Sequence, residues 1–138
     1  MRFMEICKDG GPKSPVTSLT LIEIKGLFSI MFLKFNKGTR EDFHNHAFSA
    51  LTWFIKGNLV EERIVSGAKK YHTYRLSMKP KFTPTNNLHR VHAHQDSWCF
   101  SIRGPWKKNW NEYNEQTNTT ETLANGRTIV NSYNGLPK

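Results

Sequence analysis

Residues 38–57 read GTREDFHNHAFSALTWFIKG, and this stretch decides the fold. Phe43 to Ile55 is rich in aromatic and β-branched side chains, and Asn36-Lys37-Gly38 and Lys56-Gly57-Asn58 bound it as turns. That pattern predicts an extended segment between two reversals. His44 and His46 stand two apart within it. Side chains two apart on a strand share one face, so two imidazoles can chelate one metal ion from a rigid support. A third ligand must then come from a neighbouring strand. Imidazole suits Zn, Fe, Ni, Cu and Mn, so ligand type alone leaves the metal open.

The chain on either side repeats the strand-and-turn pattern. VTSLTLIEI (16–24) and LFSIMFLKF (27–35) are split by the Lys25-Gly26 turn. The second run is apolar on both faces, with Phe28, Ile30 and Phe32 against Met31, Leu33 and Phe35. Such a strand is expected to be covered twice, by a second sheet and by a partner subunit or terminal arm. LVEERIV (59–65), KYHTYRLSM (70–78), LHRVHAH (88–94) and SWCFSIRG (97–104) follow, with KPKFTPTNN (79–87) expected as a loop. About eight short strands with almost no helical periodicity predict an all-β sandwich or barrel. Residues 1–15, with Gly10, Gly11, Pro12 and Pro15, read as a loose N-terminal arm, 16–110 as the barrel, and 111–138 as a polar tail. Asn125-Gly126 is the strongest hairpin signal in that tail.

The 138 residues suit one domain, and 9 Phe, 4 Trp and 4 Tyr supply bulk to fill it. No apolar run approaches the roughly 20 residues of a membrane helix, and the N-terminus lacks the apolar core of a secretory signal. A cytoplasmic, non-membrane protein is expected. Cys7 and Cys99 form no CxxC pair, and Cys99 reads as a small buried side chain. Twenty Lys and Arg against 11 Asp and Glu give a net charge of +9. Such a surface attracts anions such as nucleotides, phosphorylated metabolites or nucleic acid. The charge is scattered over Lys69-Lys70, Lys79 with Lys81, and Lys107-Lys108, so nucleic acid is the weaker partner reading. P-loop, GxGxxG, CxxC and GxSxG motifs are absent.

Gly38-x5-His44-x-His46 with Gly57 resembles the first motif of the cupins, and Pro84-x-Asn86-x2-His89 is similar to the second. Asn86 stands where that family usually has glycine, a mild swap because asparagine tolerates positive φ. The asparagine that usually closes the second motif would fall at Ala93. The order His44-Asn45-His46, Trp53 to Gly57, Leu88-His89-Arg90-Val91 and Trp98 to Pro105 also resembles a group of small cupin-like proteins of phages and bacteria. The resemblance implies a double-stranded β-helix, or jelly-roll, barrel with His44, His46 and His89 holding one divalent ion such as Fe, Zn, Mn or Ni. Typical cupins add a glutamate after a gap of three or four residues from the second histidine; Ala50 and Leu51 occupy those places here. A three-histidine site has open positions for water or substrate, as metal catalysis needs. Oxygenation, isomerisation and hydrolysis would all fit, and a homodimer is expected. The alternatives are a metal-free cupin that sequesters a ligand and a basic nucleic-acid-associated protein.

The remaining candidates concern a small anionic ligand. If His89 points inward, Val91 and Ala93 share its face, while His92 and His94 lie opposite. In KYHTYRL, His72 and Tyr74 face the pocket in one register and solvent in the other. Arg75 and Arg103 could clamp a carboxylate or phosphate bidentately. Trp53 is a candidate ligand contact, and Asp42 a candidate partner to orient an imidazole.

Overall fold

The computed structural model of the chain describes residues 1–39, 42–76 and 78–138. Among the described residues there are fourteen strands: β1 (Arg2–Lys8), β2 (Val16–Ile24), β3 (Phe28–Phe35), β4 (Gly38–Thr39), β5 (Phe43–His44), β6 (Ala50–Lys56), β7 (Leu59–Val65), β8 (Ala68–Tyr74), β9 (Lys81–Thr83), β10 (His89–Ala93), β11 (Ser97–Arg103), β12 (Asn109–Asn114), β13 (Thr119–Ala124) and β14 (Thr128–Asn134). They form two antiparallel sheets. The first runs β1-β2-β3-β11-β6-β9 and the second β14-β13-β12-β5-β10-β7-β8, with β4 also paired to β10. From β3 onward the chain shuttles between the sheets, so strands from distant positions in sequence lie side by side. That is a jelly-roll arrangement.

The core sits between the inner faces. Met31 and Leu33 of β3 pack with Leu59, Ala93 and Cys99, and a fringe including Val16, Phe35 and Phe54 closes around them. Truncating Leu33 to alanine removes contacts that nothing refills, at a cost of about 2–5 kcal/mol. Burial pushes the Cys99 thiol up to about 12, so it behaves as a small apolar side chain. Gly57 ends β6 at φ 111, and a Cβ there would lie 2.1 Å from Ser97 Oγ. The turn therefore requires glycine for both its backbone angle and its space.

The structure corrects several expectations. Residues 2–8 are not loose: β1 pairs with β2 from Arg2↔Glu23 to Lys8↔Thr17. A kink at Met4 (φ 49) breaks its alternation and hides the strand in the sequence. Gly10 and Gly11 (φ 99 and 102) lie in the turn between β1 and β2. The second apolar face of β3 is only half covered, because β1 extends the same sheet beyond β2 and does not lie on top of it. KPKFTPTNN contains β9, and β12 runs across residue 110, where the barrel is expected to end. Asn86 is not among the residues with positive φ. The strand expected over 70–78 ends at Tyr74; Arg40 and Glu41, in the spacer before His44, and Ser77 lie outside the described residues. Among the described residues no helix is long and apolar enough to cross a membrane.

Candidate metal centre and its pocket

The register of β5 against β10 builds the site. His89 is directly opposite His44, and residues opposite one another in an antiparallel pair point to the same face. His46 follows two residues after His44 and returns to that face. The three ring centroids are 4.8, 4.9 and 5.1 Å apart. One ligand nitrogen from each ring lies within 4.8 Å of the others, with His44 and His89 buried and His46 half-buried.

The donor set fits a divalent ion. His46 Nε2 and His89 Nε2 are 3.0 Å apart. Two nitrogens about 2.1 Å from one metal and about 90° apart would have about that separation. Behind His89, its Nδ1 lies 2.5 Å from Glu61 Oε2. A proton held on Nδ1 by that carboxylate leaves the Nε2 lone pair facing the other two rings.

Glu61 reaches this place because β7 pairs with β10, with Glu61 opposite Val91. It therefore lies on the inner face, diagonally next to His89. Lys81 Nζ and the Tyr74 hydroxyl donate to its Oε1 at 2.5 and 3.2 Å, and Asn87 Nδ2 donates to Oε2 at 3.2 Å. Burial pushes the Glu61 carboxyl up, but hydrogen bonds and charges from His89 and Lys81 outweigh it, so it stays well below the usual carboxylate range. Burial lowers Lys81 against the opposing pull of Glu61. Burial, then the charge of Glu61, raises the Tyr74 hydroxyl.

The three rings line a cavity of about 330 Å³, whose wall also includes Phe48, Trp106 and Arg103. That size suits a small ligand. Arg2, Lys8, Lys25, Lys81, Arg103 and Arg127 border it against two acids, Asp9 and Glu61. Phe48 bridges His46 and Trp106, with centroids 4.9 and 5.1 Å away. Where the resemblance would place a glutamate, Ala50 turns its methyl into the cavity and Leu51 points out, 37% exposed.

Of the sequence candidates, Tyr74 and Arg103 line this cavity with His44, His46 and His89. Trp53 does not: it packs on Phe100 at 5.8 Å, on the outer face of the first sheet. His72 touches Tyr74, with centroids 4.4 Å apart, but sits nearer the hairpin tip of edge strand β8 and is exposed. Arg75 follows the end of β8 and is also exposed. His89, Val91 and Ala93 face the cavity together, while His92 bonds Glu62 on the opposite face. Sequence reasoning missed Glu61, Lys81, Asn87, Asp9 and Phe48. Parity carried a signal for Phe48: His44, His46, Phe48, Ala50, Thr52 and Phe54 all line the cavity.

No protein-family model matches the sequence, and no curated protein matches it. Solved structures do match in three dimensions. An RmlC-like cupin from Shewanella frigidimarina aligns with 74% of this chain and 84% of its own, at 18% identity and a TM-score of 0.52. The fold is that of the cupins. Oxalate decarboxylase from Bacillus subtilis aligns over 69% of this chain and 26% of its own, at 10% identity and a TM-score of 0.54. Fe(II)-HppE aligns over 71% and 54%, at 9% identity and a TM-score of 0.56. At such identities the likeness establishes the cupin fold alone.

Proposed function

We propose that the chain is a mononuclear metal-binding cupin that grips or transforms a small anionic molecule. The observation that carries this reading is the meeting of His44, His46 and His89 at one point in the cavity wall, with His89 backed by Glu61. The basic rim of the cavity supports an anionic ligand. A structure of the same fold with Fe(II) supports a divalent ion; Fe, Zn, Mn and Ni all accept imidazole. When bound, the ion supplies a Lewis acid that polarises a ligand oxygen. Glu61 holds the proton on His89 Nδ1, Phe48 and Trp106 exclude water, and Ala50 leaves room beside the rings.

Elemental analysis of the purified protein tests this. We expect close to one divalent ion per chain, lost in both His44→Ala and His89→Ala. Full occupancy in either variant would overturn the reading. The methyl of Ala50 in place of a carboxylate favours one rival, a metal-free pocket that sequesters its ligand. Stoichiometric ligand binding in chelated protein would support that rival.

The partner is a second copy of the chain. Ile30, Phe32, Phe100 and Ile102 are half-buried on the outer face of the first sheet, and Phe28, Leu51, Ile55 and Trp98 on that face are 37–42% exposed. Six strands about 4.8 Å apart and about 20 Å long give a footprint on the order of 600 Å². That is comparable with the roughly 800 Å² of accessible surface that each partner buries in a standard interface. Sedimentation should give a dimer that Trp98→Lys dissociates; a monomer at all concentrations would contradict it.

A further inference from the structure

Arg103, the last residue of β11, is 4% exposed and lines the cavity. Its guanidinium carbon lies 4.3 Å from the centre of the Phe48 ring, and Phe48 in turn touches His46. One aromatic ring therefore separates a buried arginine from a candidate metal ligand. A buried cation needs a partner. The partner here is Asp9, bound through Nη1–Oδ1 at 3.0 Å and Nη2–Oδ2 at 2.7 Å. This is a planar fork on a planar carboxylate, the geometry by which arginine selects carboxylates.

The position of Asp9 is the unusual part. It comes from the turn after β1, 94 residues away in sequence, and not from the barrel wall. Its side chain keeps 30% of its exposure. Gly10 and Gly11 follow it at positive φ and also line the cavity. Arg103 Nε is buried and has no hydrogen-bond partner among the described residues, so Asp9 does not use the whole guanidinium.

The geometry points to Arg103 as the carboxylate seat of the pocket, with Asp9 as the chain's own occupant, which an incoming carboxylate displaces. This rests on the reading that the cavity takes an anionic ligand, but not on the metal. The ligand class is a carboxylate on a small apolar or aromatic body, with its charge on Arg103 and its body along Phe48 and Trp106. An internal competitor weakens ligand binding by the fraction of time it holds the seat. Removing it must therefore tighten binding.

The test is calorimetric titration of the full chain with phenylacetate, with and without chelator. The expected result is binding at least about ten-fold tighter to Asp9→Ala than to the wild type, because the seat no longer has an internal occupant. Phenylacetate should also restore the melting temperature that Asp9→Ala lowers, and neutral phenylacetamide should do neither. Arg103→Met should abolish binding; where that variant fails to fold, Asp9→Asn, which keeps size and loses charge, should also bind phenylacetate more tightly. Equal affinity in wild type and Asp9→Ala would overturn the proposal. So would equal binding of the amide, or tighter binding of phenyl phosphate. Asp9-dependent binding in wild-type protein that elemental analysis finds free of metal would uphold this seat while the metal reading fell.

Discussion

Glu61 and Glu62 are neighbours on β7, and both are 2% exposed. Alternation sends them to opposite faces of one sheet. Glu61 points into the cavity, where His89, Lys81, Tyr74 and Asn87 surround it. Glu62 points outward and meets Arg90 at 2.7 Å, His92 at 2.9 Å, Tyr71 at 3.1 Å and Lys69 at 3.4 Å. Both carboxyls are held below their usual range, for the same kind of reason: burial raises each one and paired donors outweigh it. Burial and a depressed pKa thus fail to separate a site residue from a structural one. What separates them is the partner. Glu61 orients an imidazole whose other nitrogen faces two more imidazoles, whereas the donors around Glu62 tie strands together on the outer surface.

The largest effect that can break this comparison is Glu61→Ala. It leaves the half-buried Lys81 without its carboxylate, and it frees His89 to rotate. A cost of about 3–5 kcal/mol in stability is expected, together with a 10–100-fold loss of metal affinity. Urea unfolding and competition with a chelator measure the two. Unchanged metal affinity would mean that Glu61 is as structural as its neighbour.

Much of the site could be read in the sequence because the rule behind it is local. His44 and His46 share a face by strand alternation alone, and the spacing of the second motif brought in His89. The same parity, carried forward through Ala50 and Thr52, puts Trp53 outside; its bulk made it attractive, but position decides. Glu61 was hidden for a different reason. In LVEERIV two adjacent acids look like a solvated pair, and only the β7–β10 register shows that one of them reaches His89. Asp9 was hidden further still, since its partner is 94 residues away. β1 was lost to its kink at Met4 and to glycines that suggest looseness but form a turn. Pairings distant in sequence leave no periodic trace.

A smaller effect should follow from Glu62→Ala. Its partners are more exposed than the buried His89 and Asn87 beside Glu61: the side chains of Arg90, His92 and Lys69 are 16%, 27% and 41% exposed. Water can therefore compensate for part of what is lost. We expect a cost of about 1.5–3 kcal/mol, the range for charged hydrogen bonds, and full metal content by elemental analysis. A drop in metal content would place Glu62 in the site after all.

The finest test uses acid. The Glu62 carboxyl is lowered from 4.5 to about 2, because Arg90, His92 and Tyr71 outweigh the effect of burial. A carboxylate whose folded pKa lies below its unfolded one contributes stability that is complete above the unfolded value. That contribution drains away as pH falls through the interval down to the folded value. For Glu62 the interval runs from about 4.5 to about 2. Comparing wild type with Glu62→Gln by urea unfolding at pH 7, 5 and 3 isolates this residue, because other carboxylates titrate in both proteins. The gap between them should be constant from pH 7 to 5 and narrow by pH 3. A gap that stays open at pH 3 would show that Glu62 works by shape and hydrogen bonding, not by charge, and the likeness between the two glutamates would then stop at their burial.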